Sequence, residues 1–212
     1  MERDDLLDDI ISEAIFTDTE IFTQIWVRPR AVLDYIKDYQ YYKYFYIILF
    51  IYGITQSFDR ASMRGFGDQF SLIPILLLCV ILGGLLGWIS LYIFSALIAW
   101  SGRIMLGGTA STKSHFHLFG YSTIPSIIGL VVVVIQILIF GNEIFTTAGV
   151  LEPLPLVIGL GLIEVVCGIY TLVLCVISIS ILQEFSIMTA ILNVIIAIVV
   201  IIIPFLLFFV LL

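Results

Sequence analysis

Charge is scarce in this chain. Asp, Glu, Lys and Arg make up 12% of 212 residues, where a soluble domain carries about a quarter. A water-soluble fold of this size would lack the polar surface to cover a core drawn from 61% apolar residues, at a mean hydropathy of +1.19. HExxH, GxSxG, Walker and CxxC motifs are missing, which argues against the enzymes and redox proteins that carry them. Gly120-Tyr121-Ser122 lacks the second Gly of a nucleophile elbow. No catalytic constellation is left, so the chain reads as a non-enzyme, with no cofactor, metal or nucleic acid expected. Cysteine is rare too. Cys167 and Cys175 would lie about 12 Å apart along one helix, too far to bridge, and with Cys79 they read as small apolar fillers. The start, MERDDLLDD, is acidic where a secretory leader is basic, so insertion is expected through the first span itself.

What the chain has in abundance is apolar runs of helix length, without the alternating polarity of an outer-membrane barrel. The expected fold is an all-α polytopic membrane protein with five transmembrane helices and a short N-terminal cytoplasmic amphipathic segment. Residues 1–40 form the tail and 41–212 the membrane domain, with spans at about 42–58, 72–100, 118–140, 154–182 and 187–212. Tyr46, Tyr52, Thr55 and Gln56 dilute the first span. The second and fourth exceed the roughly 20 residues a crossing needs, so they should tilt, kink or protrude. Pro204 should bend the fifth.

The few charges are unevenly placed. Residues 1–26 hold eight acids and one base, Arg3, and so carry the whole net charge of −7. Arg3, Arg28, Arg30, Lys37, Lys43, Arg103 and Lys113 fall on one side of the spans, against Arg60 and Arg64 on the other, and none lies in 141–153. The excess of bases predicts an inner-membrane protein with a cytoplasmic N-terminus and an external C-terminus. Tyr39, Tyr41, Tyr42, Tyr44 and Phe45 suit an interfacial belt at the first entry.

In the tail, Leu6, Leu7, Ile10, Ile11, Ala14 and Ile15 recur at helical spacing opposite Asp4, Asp5, Asp8, Asp9 and Glu13. Acids are repelled by anionic headgroups, so this apolar face needs a protein surface, such as the link around Arg103 and Lys113. A docked lid and a partner site both remain open. Thr17 with Glu20 predicts a capping box for a second helix through Trp26. Pro29 interrupts, and Ala31 to Tyr39 form a third helix.

Small and polar residues stripe the spans. Gly161, Glu164, Gly168, Thr171, Cys175 and Ser178 share one face, as do Ser122, Ser126, Gly129, Val133 and Gln136, and Ser186, Ala190, Asn193 and Ala197. The second span adds Gly83, Gly87 and Ser90. Such stripes let helices approach closely in lipid, or line a narrow polar path. Glu164 stands mid-span, where an ionised carboxylate costs a few kcal/mol or more, so it should be neutral or paired, with Gln136 and Asn193 as candidate partners. His115 and His117 lie two residues apart, on different faces of a helix, and read as interfacial rather than as a chelate.

Three dispersed sequences carry a family resemblance. They are Ile25-Trp26-Val27-Arg28-Pro29-Arg30, then Gly107-Gly108 with Phe119-Gly120-Tyr121-Ser122-Thr123-Ile124-Pro125, then Gln183-Glu184-Phe185-Ser186 with Ala190 and Asn193. In this order they resemble the Yip family of Ypt/Rab-interacting membrane proteins, in its short prokaryotic branch, over roughly residues 20 to 200. The resemblance implies a five-span bundle with a cytoplasmic N-terminus, and it implies a scaffold or organiser of membrane proteins or lipids. The bilayer is the expected environment, with a protein partner or a second copy as possible company. The alternative is a small transporter or lipid-moving protein that uses a polar stripe around Glu164. Locally, Gly107-Gly108 should break a helix, the segment from Thr109 to His117 should be interfacial, Tyr121 should lie at headgroup level, and Pro125 should kink the third span.

Overall fold

The computed structural model describes residues 16–150 and 153–211, the side chains of 201 and 204–211 excepted. The expected helix at Leu6–Ile15 lies outside the described residues. Every regular element among the described residues is helical.

The capping box is present. Oε2 of Glu20 accepts from the Thr17 N–H at 2.7 Å, and Thr17 Oγ1 accepts from the Glu20 N–H at 3.4 Å, which starts α1 at Asp18–Gln24. Pro29 opens α2, Pro29–Asp38, at a first-turn position where no N–H is needed. At the end of α2, Gln40 takes a left-handed φ of 48°. The Tyr41 N–H then reaches the Ile36 carbonyl at 3.1 Å and the Gln40 N–H the Lys37 carbonyl at 3.4 Å. This is a Schellman ending with Gln where Gly is usual.

Ile21, Ile25, Val32, Leu33 and Ile36 have no exposed surface. They seat α1 and α2 on the helices that follow. Trp26 stacks on Tyr170 at 5.0 Å, and the Tyr170 hydroxyl donates to the Ile25 carbonyl at 2.8 Å.

Helix α3, Phe45–Met63, precedes the long α4, Leu72–Met105. One wide π-type turn at Cys79–Gly83 interrupts α4. It falls where α4 crosses α3 backbone to backbone. A Cβ on Gly87 would collide with the Gly53 Cα, and one on Gly53 would meet the Gly83 carbonyl. The stripe expectation for Gly83 and Gly87 therefore holds, and Gly53 supplies the opposing face.

The expected third span is two helices, α5 at Thr112–Ser122 and α6 at Pro125–Phe140. Pro125 breaks the rod rather than kinking it. Its ring crowds the preceding turn and it donates no backbone bond, while the Thr123 hydroxyl caps the Gly120 carbonyl at 2.7 Å. A 3-10 turn extends α6 to Phe145. It is tied to the α3–α4 link by Asn142, donating to the Gly67 carbonyl at 3.0 Å, and to the last turn of α3 by Ser62, donating to the Ile144 carbonyl at 2.6 Å. Helices α7, Leu154–Gln183, and α8, Ile187–Leu211, complete the order.

Among the described residues, three helices are long and apolar enough to cross a membrane: Leu72–Met105, Pro125–Phe145 and Leu154–Gln183. Helix α3 falls short of that test because Thr55, Gln56, Asp59 and Arg60 occupy its second half. Helix α8 is apolar over Ile187–Val200 as well. At 30 residues, α7 is about 45 Å long against a hydrocarbon layer of about 30 Å. Val165, Val166, Ile169 and Leu172 along its middle are exposed, and its last third, from Leu174, is largely buried under α2, α5 and α8.

Candidate functional site

Three helices leave a cavity of about 220 Å³ between them. Helix α3 contributes Tyr52, Thr55, Gln56 and Asp59, which follow the i, i+3, i+4, i+7 spacing of one helical face. Helix α6 contributes Ser126 and Gly129, and α7 contributes Glu164, Gly168 and Thr171. A smaller neighbouring cavity shares Asp59 and Glu164 and adds Gln136 and Ser62. Oε1 of Glu164 and Oγ of Ser126 are both shielded and have no hydrogen-bond partner. Two carboxyl groups thus face one partly open cavity that no Lys or Arg lines among the described residues. A carboxylate there is stabilised by a proton, a cation or donated hydrogen bonds.

This placement corrects the expected partners of Glu164. Gln136 shares its cavity, but Asn193 does not. The side-chain carbonyl of Asn193 accepts from Ser101 at 2.6 Å, and its amide donates to the Ile98 carbonyl at 3.2 Å. Nor is the α7 stripe close-packed along its length. A Cβ on Gly161 or Gly168 would meet nothing within 4 Å. Asp59 went unremarked in the sequence, although the polar residues that dilute the first span already share its face.

The family-like residues meet elsewhere, at the other end of the bundle. Gly107 takes a φ of 76° and ends α4, and the Gly108 N–H closes the turn onto the Gly102 carbonyl at 2.9 Å. Gln183 fills the space beside them. Its Oε1 accepts from the Ala110 N–H at 3.2 Å and its Nε2 lies 3.3 Å from Nε2 of His115. Nδ1 of His115 sits 2.9 Å from the Ser111 carbonyl. The ring therefore carries its proton on Nδ1 and accepts from Gln183 on Nε2. Burial lowers the His115 pKa below the ordinary imidazole value; the Ser111 bond opposes the shift and the Arg103 charge adds to it.

Both histidines are buried within the protein, and Tyr121 has no exposure at all. The reason is the linker between α2 and α3, whose carbonyls lack helical partners and need donors. The Tyr121 hydroxyl lies 2.9 Å from the Tyr41 carbonyl and 2.8 Å from that of Lys43, and His117 Nε2 donates to the Tyr41 carbonyl at 2.8 Å. Ser122 pairs with Ser178 at 2.9 Å and so joins α5 to α7. From α1, Asp18 accepts from the Tyr41 hydroxyl at 2.7 Å and is ion-paired with Lys43. The Lys43 hydrogen bond, then that of Tyr41, holds the exposed Asp18 carboxyl below its usual range.

Among the described residues, no group of three or more His, Cys, Asp or Glu side chains is arranged to hold a metal ion. The three cysteines are buried and free. Residues 23–209 match the family model of the Yip1 domain. No curated protein matches the chain, and no solved structure does.

Proposed function

The chain belongs to the Yip1 domain family, and from that premise we propose that it is a non-enzymatic scaffold of the inner membrane. The reading takes α3 and α8 as spans beside the three long apolar helices, with the N-terminus in the cytoplasm and the C-terminus outside. One observation carries the scaffold role. Residues 17–43 are clamped onto α5 and α7 by five fully buried aliphatic side chains, the Trp26–Tyr170 stack and the Tyr121 hydroxyl. The clamp holds a fixed outer face to the aqueous side, on which Val27 is 75% exposed and Tyr39 56%. Exposed apolar groups on a rigid surface fit contact with another protein or a second copy.

Photo-crosslinking from Val27 and Tyr39 in intact cells tests the role. Discrete protein adducts that weaken when Trp26→Ala loosens the clamp are expected; an absence of adducts at both positions overturns it. Orientation is tested by thiol labelling of Ser111→Cys and Thr147→Cys in a background lacking the three native cysteines. Only Thr147→Cys should label from outside.

A second reading rests on the cavity between α3, α6 and α7. Its paired carboxyls, Asp59 and Glu164, fit a small transporter or lipid-moving protein. Solute or lipid flux in vesicles that Glu164→Gln abolishes, with stability unchanged, would favour it.

A further inference from the structure

A second concavity, of about 380 Å³, opens at the opposite end of the bundle from Glu164. Lys37 and Gln40, at the end of α2, form one wall, and Lys113 and Ser114, in the first turn of α5, form the other. Tyr42 and His117 stack at 4.0 Å, nearly parallel, and line the space between the walls. The stack is fixed because His117 is bonded to the Tyr41 carbonyl.

Among the described residues, no carboxylate lines the groove, whose charged lining groups are Lys37 and Lys113. Lys113 has no acidic side chain within 4 Å among the described residues, and the acids near Lys37 are its neighbour Asp38, at 3.6 Å on the exposed surface, and Asp34, one turn back on α2 and outside the groove lining. The first turn of α5 adds unpaired backbone N–H groups and the positive end of the helix dipole. Ser111 caps only the Ser114 N–H, at 3.1 Å. The left-handed Gln40 brings a further amide to the rim. Two ammonium groups, a helix start and an amide around a space of this size suit a tetrahedral anion of one to two charges.

We infer that this groove binds a phosphate group. The groove lies beside the tyrosine-rich entry to α3, where a phospholipid headgroup and a free phosphate could each reach it. The inference stands apart from the scaffold reading, because it concerns a ligand site and needs no protein partner.

Thermal unfolding of the full chain in neutral detergent tests it. The probes are phosphatidic acid, phosphatidylcholine and inorganic phosphate. Phosphatidic acid at about a hundredfold excess over its Kd should raise the Tm by about 5 °C or more. The double variant Lys37→Gln/Lys113→Gln should lose at least half of that shift, and Arg103→Gln, outside the groove, should keep it. Phosphate matching the lipid shift would identify the free anion as the ligand; a shift with phosphatidic acid alone would identify the headgroup. No shift with either anion overturns the site. So does a double variant that responds like the parent, or an Arg103→Gln variant that loses as much as the double.

Discussion

Oε1 of Gln183 occupies the space that a side chain on Gly108 would need: a Cβ there would collide with it. The two residues stand in separate stretches of the family-like sequence, and the fold brings them into contact. Gly102 makes the same allowance, with Gln183 Nε2 2.6 Å and Asn193 Nδ2 2.9 Å from the position of its would-be Cβ. Gly102, inside α4, and Gly108, just beyond its end, thus do more than shape a helix. They leave room for two buried amides that tie α4, α5, α7 and α8 together.

Gly108→Ala should therefore displace the Gln183 amide and orphan the Ala110 N–H. The expected loss is about 1–3 kcal/mol, read as a lower Tm in detergent. Gln183→Ala should cost a similar amount, and the double variant less than the sum. Strict additivity would show that the two sites are uncoupled.

Glycines that look alike in the sequence should respond in opposite ways. Gly87→Leu forces α3 and α4 apart where backbone meets backbone, and should cost more than about 2 kcal/mol. Gly168→Ala enters open space and improves helix propensity, so its Tm should stay level or rise. A Gly168→Ala variant that melts like Gly87→Leu would contradict the open cavity wall.

Acid should destabilise the end of the bundle that holds His115 and His117. Burial lowers the pKa of His115 and of His117 below the ordinary imidazole value; bonds to the Ser111 and Tyr41 carbonyls oppose these shifts. A lowered folded pKa means that the unfolded chain takes up more protons. The contribution to stability is complete above about pH 6.5 and is lost as pH falls towards the folded values. Protonated His115 also ceases to accept from Gln183. Between pH 7.5 and 5 the Tm should fall, and His115→Gln should flatten that fall in part, leaving the share of His117. Equal slopes in the two proteins would show that His115 plays no part.

Tyr121→Phe keeps the ring packing against Tyr41 and Phe45 but removes the donor shared by two linker carbonyls. A loss of about 1–2 kcal/mol is expected. Limited proteolysis between Tyr39 and Lys43 should quicken, because the segment opens locally without requiring the whole bundle to unfold. An unchanged cleavage rate would mean that the hydroxyl does not hold the linker.

Local signals were readable wherever the partner lay nearby in the sequence. The Thr17–Glu20 capping box, a proline at a helix start and the glycine break at Gly107 each involve residues a few positions apart. Contacts distant in the sequence were not readable. No window of sequence shows that the α2–α3 linker and Gln183 cover Tyr121, His115 and His117. Asn193 and Glu164 look like partners by polarity, yet they lie in different assemblies, one beside Ser101 and one beside Asp59.

Composition by itself determined that this is a helical membrane protein with an acidic N-terminal segment, because so few charges cannot clothe a soluble fold. The order of its dispersed motifs pointed to the family. Only the tertiary structure decided which polar groups meet. Helical spacing assigns a residue to a face, but the neighbour opposite that face is set by how the helices cross. Those crossings pair Gly53 with Gly87, put Asp59 and Glu164 around one cavity, and turn Gly108, His115, Gln183 and Asn193 into a buried set of ties.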